Sequence, residues 1–333
     1  MKCDRIMLAL ASPGGTDPQV IAKAVRLAAT MRAELELFHC IYDAGANERT
    51  RFGSRGPTKD IREAVEERRE QLELHARDLR ACGIAVRTSV RWDARPYEGI
   101  IRQVIRHRSD LLIAQSMRRT RAQRTLSGHT DYKLIEACPC PLLLIKSPRP
   151  YRPGCTVAAV DPRRAHEKPA ELDDAILQAA KTFSAALRSA LCIYHAYPPW
   201  TDVMRRDPQL REIPEIEKPD ARSSYQQATE SLVRELAAQH QLPADSVRAV
   251  EGDVSEVLPE FTRQEPTDLV VFGLVSRPFV KQVLVGHTAK RLIDRLSCDV
   301  LIVKPSAFRS RVAGASAHRL DRRSAITQAE DVA

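Results

Sequence analysis

Several residues in the C-terminal half of the chain are of types that could bind a phosphate group. Gly273 follows a run of apolar residues, and Gly286 stands directly before a segment with helical spacing. A glycine lets the backbone approach a ligand closely, and the unpaired N–H groups at a helix start attract anions. Thr288 could cap that helix or donate to a phosphate oxygen, while Asp161, at the end of another apolar run, could accept hydrogen bonds from a ribose or base. Gly and Thr could equally do only turn and capping work.

The Gly-His-Thr step at this helix occurs twice in the chain, 158 residues apart. Residues 128–137 read GHTDYKLIEA, and residues 286–295 read GHTAKRLIDR. At this offset residues 110–146 align with residues 268–304 without a gap, and 12 of the 37 positions are identical. Earlier segments also match, with small changes of length: residues 6–13 with 155–162, and 34–43 with 190–199. The chain therefore contains two copies of one domain.

Within each copy, short apolar runs alternate with amphipathic segments. This pattern predicts parallel β-α-β units in which helices cover both faces of the sheet. Folds of this class bind ligands beyond the carboxyl ends of their strands. The predicted strands occupy residues 6–11, 33–42, 84–90, 110–114 and 141–146 in the first copy, and lie near 155–160, 190–195, 246–251, 268–272 and 299–304 in the second. The predicted helices of the first copy occupy residues 17–31, 61–83, 96–108 and 130–138, and Gly83 is expected to end the second of them.

The length of 333 residues fits two domains of about 150 residues each. We expect them at residues 1–147 and 155–305, joined by a stiff linker at 148–154 and followed by a disordered tail at 306–333.

Two Pro- and charge-rich stretches, 44–58 and 198–220, follow the second strand of their copies. Each could be a lid over the ligand crevice or a surface loop, and Trp200 and Met204 are candidate packing residues.

Composition excludes several classes of protein. The eight cysteines form no CxxC pair and several lie in apolar runs, which argues against a disulfide framework. The first residues are charged and lead into a strand, and no apolar run approaches the roughly 20 residues that span a bilayer. We therefore expect a cytoplasmic protein without membrane contact. The net charge of +9 permits an anionic partner, although solubility explains it as well.

These features together resemble the universal stress proteins, most closely the tandem-domain, E-type bacterial members, over residues from about 5 to 305. The resemblance implies two tandem Rossmann-like or flavodoxin-like α/β domains, each with an open parallel five-stranded sheet. In that family the fourth strand is followed by G-x2-G-x9-G-[ST], which binds phosphate, and an Asp closing the first strand contacts adenosine. The second copy keeps this spacing and has Asp161 at the strand end, so the implied ligand residues are Asp161, Gly273, Ser276, Gly286, His287 and Thr288. Ser276 replaces the middle glycine, and His287 and Ala289 stand where nucleotide-binding members often have hydroxyls.

The first copy departs further from the family pattern. Ser12 occupies the position of Asp161, Gln115 replaces Gly273, and Arg118 corresponds to Ser276. Asp131 lies in the first turn of the following helix, where its charge would repel a phosphate. We expect no ATP in this copy, which would act as the structural partner of the second.

The resemblance favours a non-catalytic stress-response sensor or adaptor that binds ATP, another adenine nucleotide or a different phosphate ligand in the second domain only. A weak ATPase, a ligand-free scaffold and a binder of lipid or acyl ligands under residues 198–220 are the alternatives. No catalytic residue is assigned, because a Walker lysine and an obvious water-activating group are missing. The strands LLLIK and VLIVK could pair to form an internal pseudo-dimer, and a further homodimer and unidentified protein partners stay open.

Three other patterns suggest sites, but each has a simpler interpretation. The segment SPGGTD at 12–17 resembles a pyrophosphate-binding loop, although Pro13 and Pro18 interrupt it, so a surface loop is favoured. RRTRAQR at 118–124 lacks aromatic residues for base stacking, which favours a solvated loop over nucleic-acid binding. A zinc site would have to come from His129 and the nearby soft ligands, but core packing explains them better, so no metal is assigned: His39, Cys40, Cys138 and Cys140.

Overall fold

The computed structural model describes residues 1–11, 15–42, 59–116, 130–164, 171–211, 218–274 and 287–312. They form two compact units, whose main segments are Lys2–Pro150 and Tyr151–Ser306. We call these the N-terminal unit and the C-terminal unit. Within the ranges given above, no helix is long and apolar enough to cross a membrane.

The N-terminal unit contains one parallel sheet with the strand order β3-β2-β1-β4-β5. Its strands are β1 (Arg5–Leu10), β2 (Glu34–Ile41), β3 (Val86–Trp92), β4 (Leu111–Gln115) and β5 (Leu142–Ile145). Its helices are α1 (Pro18–Met31), α2 (Lys59–Ala81), α3 (Pro96–His107) and α4 (Thr130–Ala137).

The C-terminal unit repeats this sheet with the order β10-β9-β6-β7-β8. Its strands are β6 (Cys155–Ala159), β7 (Ala190–Tyr197), β8 (Val247–Glu251), β9 (Thr267–Gly273) and β10 (Asp299–Val303). Its helices are α5 (Leu172–Leu187), α6 (Trp200–Arg206), α7 (Pro208–Arg211), α8 (Lys218–Gln239), α9 (Val254–Gln264) and α10 (His287–Arg295), with short 3₁₀ turns at Pro162–Arg164 and Ala244–Ser246. The predicted fold class, two α/β units with parallel five-stranded sheets, is confirmed.

The central strands are buried on both faces, which explains their unbroken apolar sequences. In β1 the side chains of Ile6, Met7 and Leu8 are completely buried, and in β9 those of Val270 and Val271 are too. In each unit the chain order reverses between the first strand and the fourth, so the crevice of the fold opens at the carboxyl ends of β1 and β4, and of β6 and β9.

Local sequence signals set where several helices begin and end. The Asp17 carboxylate caps α1 by accepting from the Gln19 N–H at 2.8 Å, and Asp253 caps α9 by accepting from the Ser255 N–H at 2.8 Å. Gly83, which follows α2, has φ +82°, a left-handed conformation that favours glycine. The prediction that Gly83 terminates this helix is confirmed.

The described residues of the Pro-rich stretch at 198–220 are mostly helical. They form α6, α7 and the start of α8. Trp200 is 8% exposed, which confirms it as a packing residue. The corresponding stretch at 44–58 lies outside the described residues, as do residues 313–333 of the predicted tail.

Candidate functional site

Asp161 and Gly273 lie at the same edge of the C-terminal sheet. Strands β6 and β9 are neighbours, and Ala159 of β6 stands opposite Phe272 of β9. Gly273 follows Phe272 directly, and Asp161 comes two residues after Ala159. Both residues therefore stand at the carboxyl ends of adjacent parallel strands, which in proteins are about 4.8 Å apart. The sheet register thus brings together two residues that are far apart in the sequence.

Asp161 has a partly exposed side chain, and its backbone makes a polar contact with α5. Its side chain is 43% exposed, and its backbone N–H donates to Asp173 Oδ1 in the first turn of α5 at 3.3 Å. Its Oδ1 lies 3.9 Å from His195 Nδ1. An exposed carboxylate in this position can accept hydrogen bonds from hydroxyl or amino groups.

His195 is a buried residue of the site that the sequence interpretation missed. Its side chain is 1% exposed, and its Nδ1–H donates to the Val160 carbonyl at 3.0 Å. Burial lowers the pKa of His195, so the imidazole is neutral at pH 7 and the contact with Asp161 is not a full ion pair.

His39 of the N-terminal unit makes the equivalent contact: its Nδ1 lies 3.2 Å from the Leu10 carbonyl oxygen. Burial also lowers the pKa of His39. The two histidines occupy matching positions in the aligned segments 34–43 and 190–199. The repeat was therefore the sequence signal that could have identified both histidines. In each unit the histidine connects the end of the second strand to the end of the first.

An aromatic cluster closes the side of the crevice next to β7. The ring centroid of Tyr225 in α8 lies 5.7 Å from that of Tyr197 and 5.6 Å from that of Trp200. The Arg163 guanidinium lies over the Tyr225 ring at 4.3 Å, and its Nη1 donates to Thr229 Oγ1 at 2.9 Å. Because Arg163 follows Asp161 by two residues, this cluster forms a wall beside the carboxylate.

Glu251, at the end of β8, holds the segment that follows β7 and contains Trp200. Its Oε1 accepts from the Trp200 backbone N–H at 2.8 Å, and its Oε2 accepts from Arg222 at 2.9 Å. These two donors lower the pKa of the Glu251 carboxyl. The start of the segment at 198–220 is therefore held against the sheet.

The remaining predicted ligand residues lie on or before α10. His287 and Thr288 form its exposed first turn. The second half of α10 is held on α9, where Arg291 lies 3.2 Å from Glu256 and Arg295 donates to the Ser255 carbonyl at 3.0 Å. Ser276 and Gly286 lie outside the described residues.

Gly273 has a packing role that can be tested separately. A Cβ atom built there would lie 2.8 Å from both Cγ and Cδ2 of Leu172, the first residue of α5. Leu172 is 2% exposed and has little room to move.

We expect Gly273→Ala to lower the free energy of unfolding by about 1–3 kcal/mol through overpacking. The measurement is urea denaturation of four proteins: wild type, Gly273→Ala, Leu172→Ala and the double variant. In the Leu172→Ala background the added methyl has space, so its cost should fall to within about 0.5 kcal/mol. An equal cost in both backgrounds would contradict the steric explanation.

In the N-terminal unit, a side chain bridges β4 and the start of α1 at the corresponding strand ends. Gln115, at the position of Gly273, places its Oε1 where it accepts from the Asp17 backbone N–H at 3.1 Å. Asp131, in the first turn of α4, accepts from Ser116 Oγ at 3.3 Å. Ser12, Arg118 and the Gly128–Thr130 step are not described in full.

Within the described ranges, no group of three or more His, Cys, Asp or Glu side chains is arranged to hold a metal ion. Of the soft ligands considered from the sequence, Cys138 and Cys140 approach each other, with their Sγ atoms 3.6 Å apart.

The sequence model of the Universal stress protein family matches residues 2–146 and 159–304. The chain belongs to the universal stress protein family. The two matches confirm the predicted tandem arrangement, with one family domain in each half of the chain.

Relatives within the family match almost the whole chain. Universal stress protein E of Escherichia coli (strain K12) is 23% identical over 92% of this chain and 96% of its own length. The homologue of that protein from Haemophilus influenzae is 22% identical over 92% of this chain and 99% of its own length.

A crystal structure of a putative universal stress protein from Pseudomonas aeruginosa UCBPP-PA14 superposes with a TM-score of 0.67, at 21% identity over 91% of this chain and 94% of that one. A universal stress protein from Archaeoglobus fulgidus gives a TM-score of 0.62, at 13% identity over 92% of this chain and 97% of that one. At these identities the structures establish the fold that the chain shares with its family.

Proposed function

We propose that the C-terminal unit binds an adenine nucleotide, or another ligand that carries a phosphate group, and that the protein acts as a non-catalytic sensor or adaptor. The observation that carries this proposal is the position of Asp161. Its carboxylate is 43% exposed and stands beside Gly273 at the carboxyl ends of β6 and β9. Ligands of open α/β sheets bind at this point, where the strand order reverses.

Each predicted residue has a physical role in this binding mode. Asp161 accepts hydrogen bonds from the ribose hydroxyls or from a base amino group, because an ionised carboxylate is an acceptor only. The phosphate group lies at the start of α10, where unpaired backbone N–H groups and the helix dipole attract negative charge. Thr288 and His287 in the first turn, with Ser276 and Gly286 before it, supply the other contacts.

The contrast between the two units supports one site per chain. In the N-terminal unit, Gln115 accepts from the Asp17 N–H across the crevice. The Asp131 carboxylate, held by Ser116, stands in the first turn of α4. A side chain within the crevice and a negative charge at the helix start both oppose the binding of a nucleotide phosphate.

A bound ligand would act through stability alone, without chemistry. A ligand that binds only the folded state stabilises it by RT ln(1 + [L]/Kd), which is about 2.7 kcal/mol at 100 times Kd. The wall formed by Arg163, Tyr225 and Trp200 lies next to Asp161, so occupancy of the crevice would also hold the helices that carry these residues.

The test is thermal denaturation of the full chain with ATP, ADP, AMP or inorganic phosphate, each from 0 to roughly 100 times Kd. We expect the melting temperature to rise with nucleotide concentration, and to rise more for nucleotides than for phosphate, because only nucleotides reach Asp161. No shift with any of the four would indicate a scaffold. Steady release of phosphate from ATP by the same sample would indicate an ATPase, and an acyl chain found by native mass spectrometry would indicate a lipid binder.

A further inference from the structure

The N-terminal unit contains a second cavity, away from the carboxyl ends of its strands. It has a volume of about 260 Å³ and lies between the amino-terminal half of the sheet and helix α3. We call it the arginine cavity, because its lining contains four arginines and a single carboxylate, that of Glu34: the arginines are Arg5, Arg87, Arg91 and Arg106.

Glu36 of β2 forms a buried polar centre next to the floor of this cavity. Its side chain is completely buried. Its Oε1 accepts from Ser89 Oγ at 2.5 Å and from Gln103 Nε2 at 2.6 Å. Its Oε2 lies 3.0 Å from His107 Nδ1, which is ion-pair distance, although the two atoms are not aligned as a hydrogen bond. Ser89, Gln103 and His107 all line the cavity, so this network connects Glu36 to it.

His107 has a polar atom that the protein does not use. Its side chain is 1% exposed, and its Nε2 has no hydrogen-bond partner among the described residues. Leaving a buried polar atom unpaired costs about 1–3 kcal/mol, which is why such atoms usually have a partner. His107 lines the cavity, but its Nε2 is covered by the protein, so the imidazole borders the cavity without presenting this atom to it.

Two of the arginines are only weakly neutralised. Arg87 lies 3.8 Å from Glu34, and Arg5 donates to the carbonyl of His107 at 3.3 Å. A carbonyl carries no net charge, so the positive charge of Arg5 has no counter-ion in this contact.

The other two arginines have no acidic partner at ion-pair distance within the part of the chain that the structure describes. Arg106 donates to Gln103 Oε1 at 3.1 Å, and Arg91 makes no hydrogen bond or ion pair with any described residue. Burial lowers the pKa of Arg91 and the neighbouring charge of Arg106 lowers it further, while the buried Glu36 carboxylate raises it by a smaller amount. Two like charges that face one cavity repel each other until an anion lies between them.

The fold itself does not require these charges, since the corresponding groove of the C-terminal unit is built differently. The repeat and the sheet registers align Glu36 with Cys192 and Arg91 with Val250. Helices α3 and α9 begin at Pro96 and Val254, so Gln103 corresponds to Phe261. Val250 and Phe261 line that groove, whose volume is about 720 Å³. That groove contains two arginines and two glutamates, so the excess of arginines in the lining is specific to the cavity of the N-terminal unit.

We propose that the arginine cavity binds a small oxyanion of the phosphate class, held by the guanidinium groups of Arg91 and Arg106. The guanidinium group presents a planar fork of donors that matches phosphate oxygens. Four arginines against one glutamate, Glu34, give the cavity a net positive charge, which favours an anion over a cation. The volume is smaller than the roughly 300–1,000 Å³ of pockets for drug-sized ligands, which favours inorganic phosphate or pyrophosphate over a nucleotide. This site is independent of the one proposed at Asp161.

The experiment is isothermal titration of the full chain with sodium pyrophosphate and, separately, sodium phosphate at constant ionic strength. We expect saturable binding, and we expect Arg91→Ala to raise the Kd at least about 10-fold. This change corresponds to about 1.4 kcal/mol, the loss of one charge-assisted contact. Arg106→Ala should weaken binding in the same way. Arg62→Ala is the matched control, because Arg62 is exposed on α2, outside the cavity, and its removal changes the net charge equally. This variant should bind within about 2-fold of wild type, inside the range of non-specific charge effects.

Three results would overturn the proposal. The first is that neither anion binds saturably. The second is that wild type, Arg91→Ala and Arg106→Ala bind with equal affinity, which would mean that the anion binds outside the cavity. The last is an equal loss in Arg62→Ala, which would indicate a general effect of charge. Anion binding that depends on Arg91 and Arg106 tests this cavity, whereas nucleotide binding that depends on Asp161 tests the C-terminal unit, so failure of one proposal leaves the other result unchanged.

Discussion

Replacing Asp161 by Asn is expected to weaken adenine-nucleotide binding by roughly 10- to 150-fold, which corresponds to about 1.5–3 kcal/mol. The substitution keeps the shape of the side chain but removes the charge and one of its two acceptor oxygens. A ribose diol or a base amino group would then lose charge-assisted hydrogen bonds, which are about twice as strong as neutral ones. The fold should tolerate the change, because the side chain is 43% exposed and His195 is neutral.

The measurement is the Kd of ATP or AMP by isothermal titration, compared among wild type, Asp161→Asn and Asp245→Asn. Asp245 is exposed in the same unit, in the 3₁₀ turn before β8, so its substitution removes the same charge away from the crevice. We expect this control to bind like wild type. Equal affinity in all three proteins would show that the nucleotide does not contact Asp161, and the proposed site would be wrong.

Replacing Glu36 by Ala is expected to lower the free energy of unfolding by about 3–5 kcal/mol, the usual cost of breaking a buried charged network. The substitution leaves Ser89 and Gln103 without their shared acceptor in the interior of the N-terminal unit, and it removes the carboxylate that lies 3.0 Å from His107. It also leaves a small void, which adds to the loss.

Urea denaturation followed by circular dichroism measures this effect, with Glu36→Gln and Glu34→Ala as comparisons. Glu36→Gln keeps one acceptor oxygen and should cost less. Glu34 points to the same face of β2, two residues earlier, but its side chain is 38% exposed and its contact with Arg87 is 3.8 Å. Its removal should cost less than about 1 kcal/mol. If Glu36→Ala were as mild as Glu34→Ala, the buried network would not contribute to stability.

The strands and their order along the chain were predictable, because burial on both faces of a parallel sheet demands unbroken apolar runs. The run at 6–11 corresponds to β1 at Arg5–Leu10, and the run predicted near 268–272 corresponds to β9 at Thr267–Gly273. Helix ends followed from equally local signals, such as Gly83 after α2. The repeat added the division into two homologous parts.

The surroundings of the candidate site were not predictable from local patterns. Gln115 was recognised as a departure from the family pattern, but its hydrogen bond to the Asp17 N–H depends on how far α1 lies from β4. Trp200 was recognised as a packing residue, but its contacts with Tyr225 and Glu251 join three separate segments. Such contacts depend on the distances between elements, which spacing along the chain does not contain.

The sequence by itself determined the α/β class, the duplication, the membership of the universal stress protein family and the strand ends at which we propose that a ligand binds. Each of these depends on local periodicity or on the repeat, and both can be read along one chain. Only the tertiary structure decided that Asp161 stands beside Gly273, that His195 is neutral in the interior, and that Glu36 and His107 meet at a cavity lined by arginines. Sheet register and helix packing decide such neighbours, because they bring together side chains that are tens to more than a hundred residues apart.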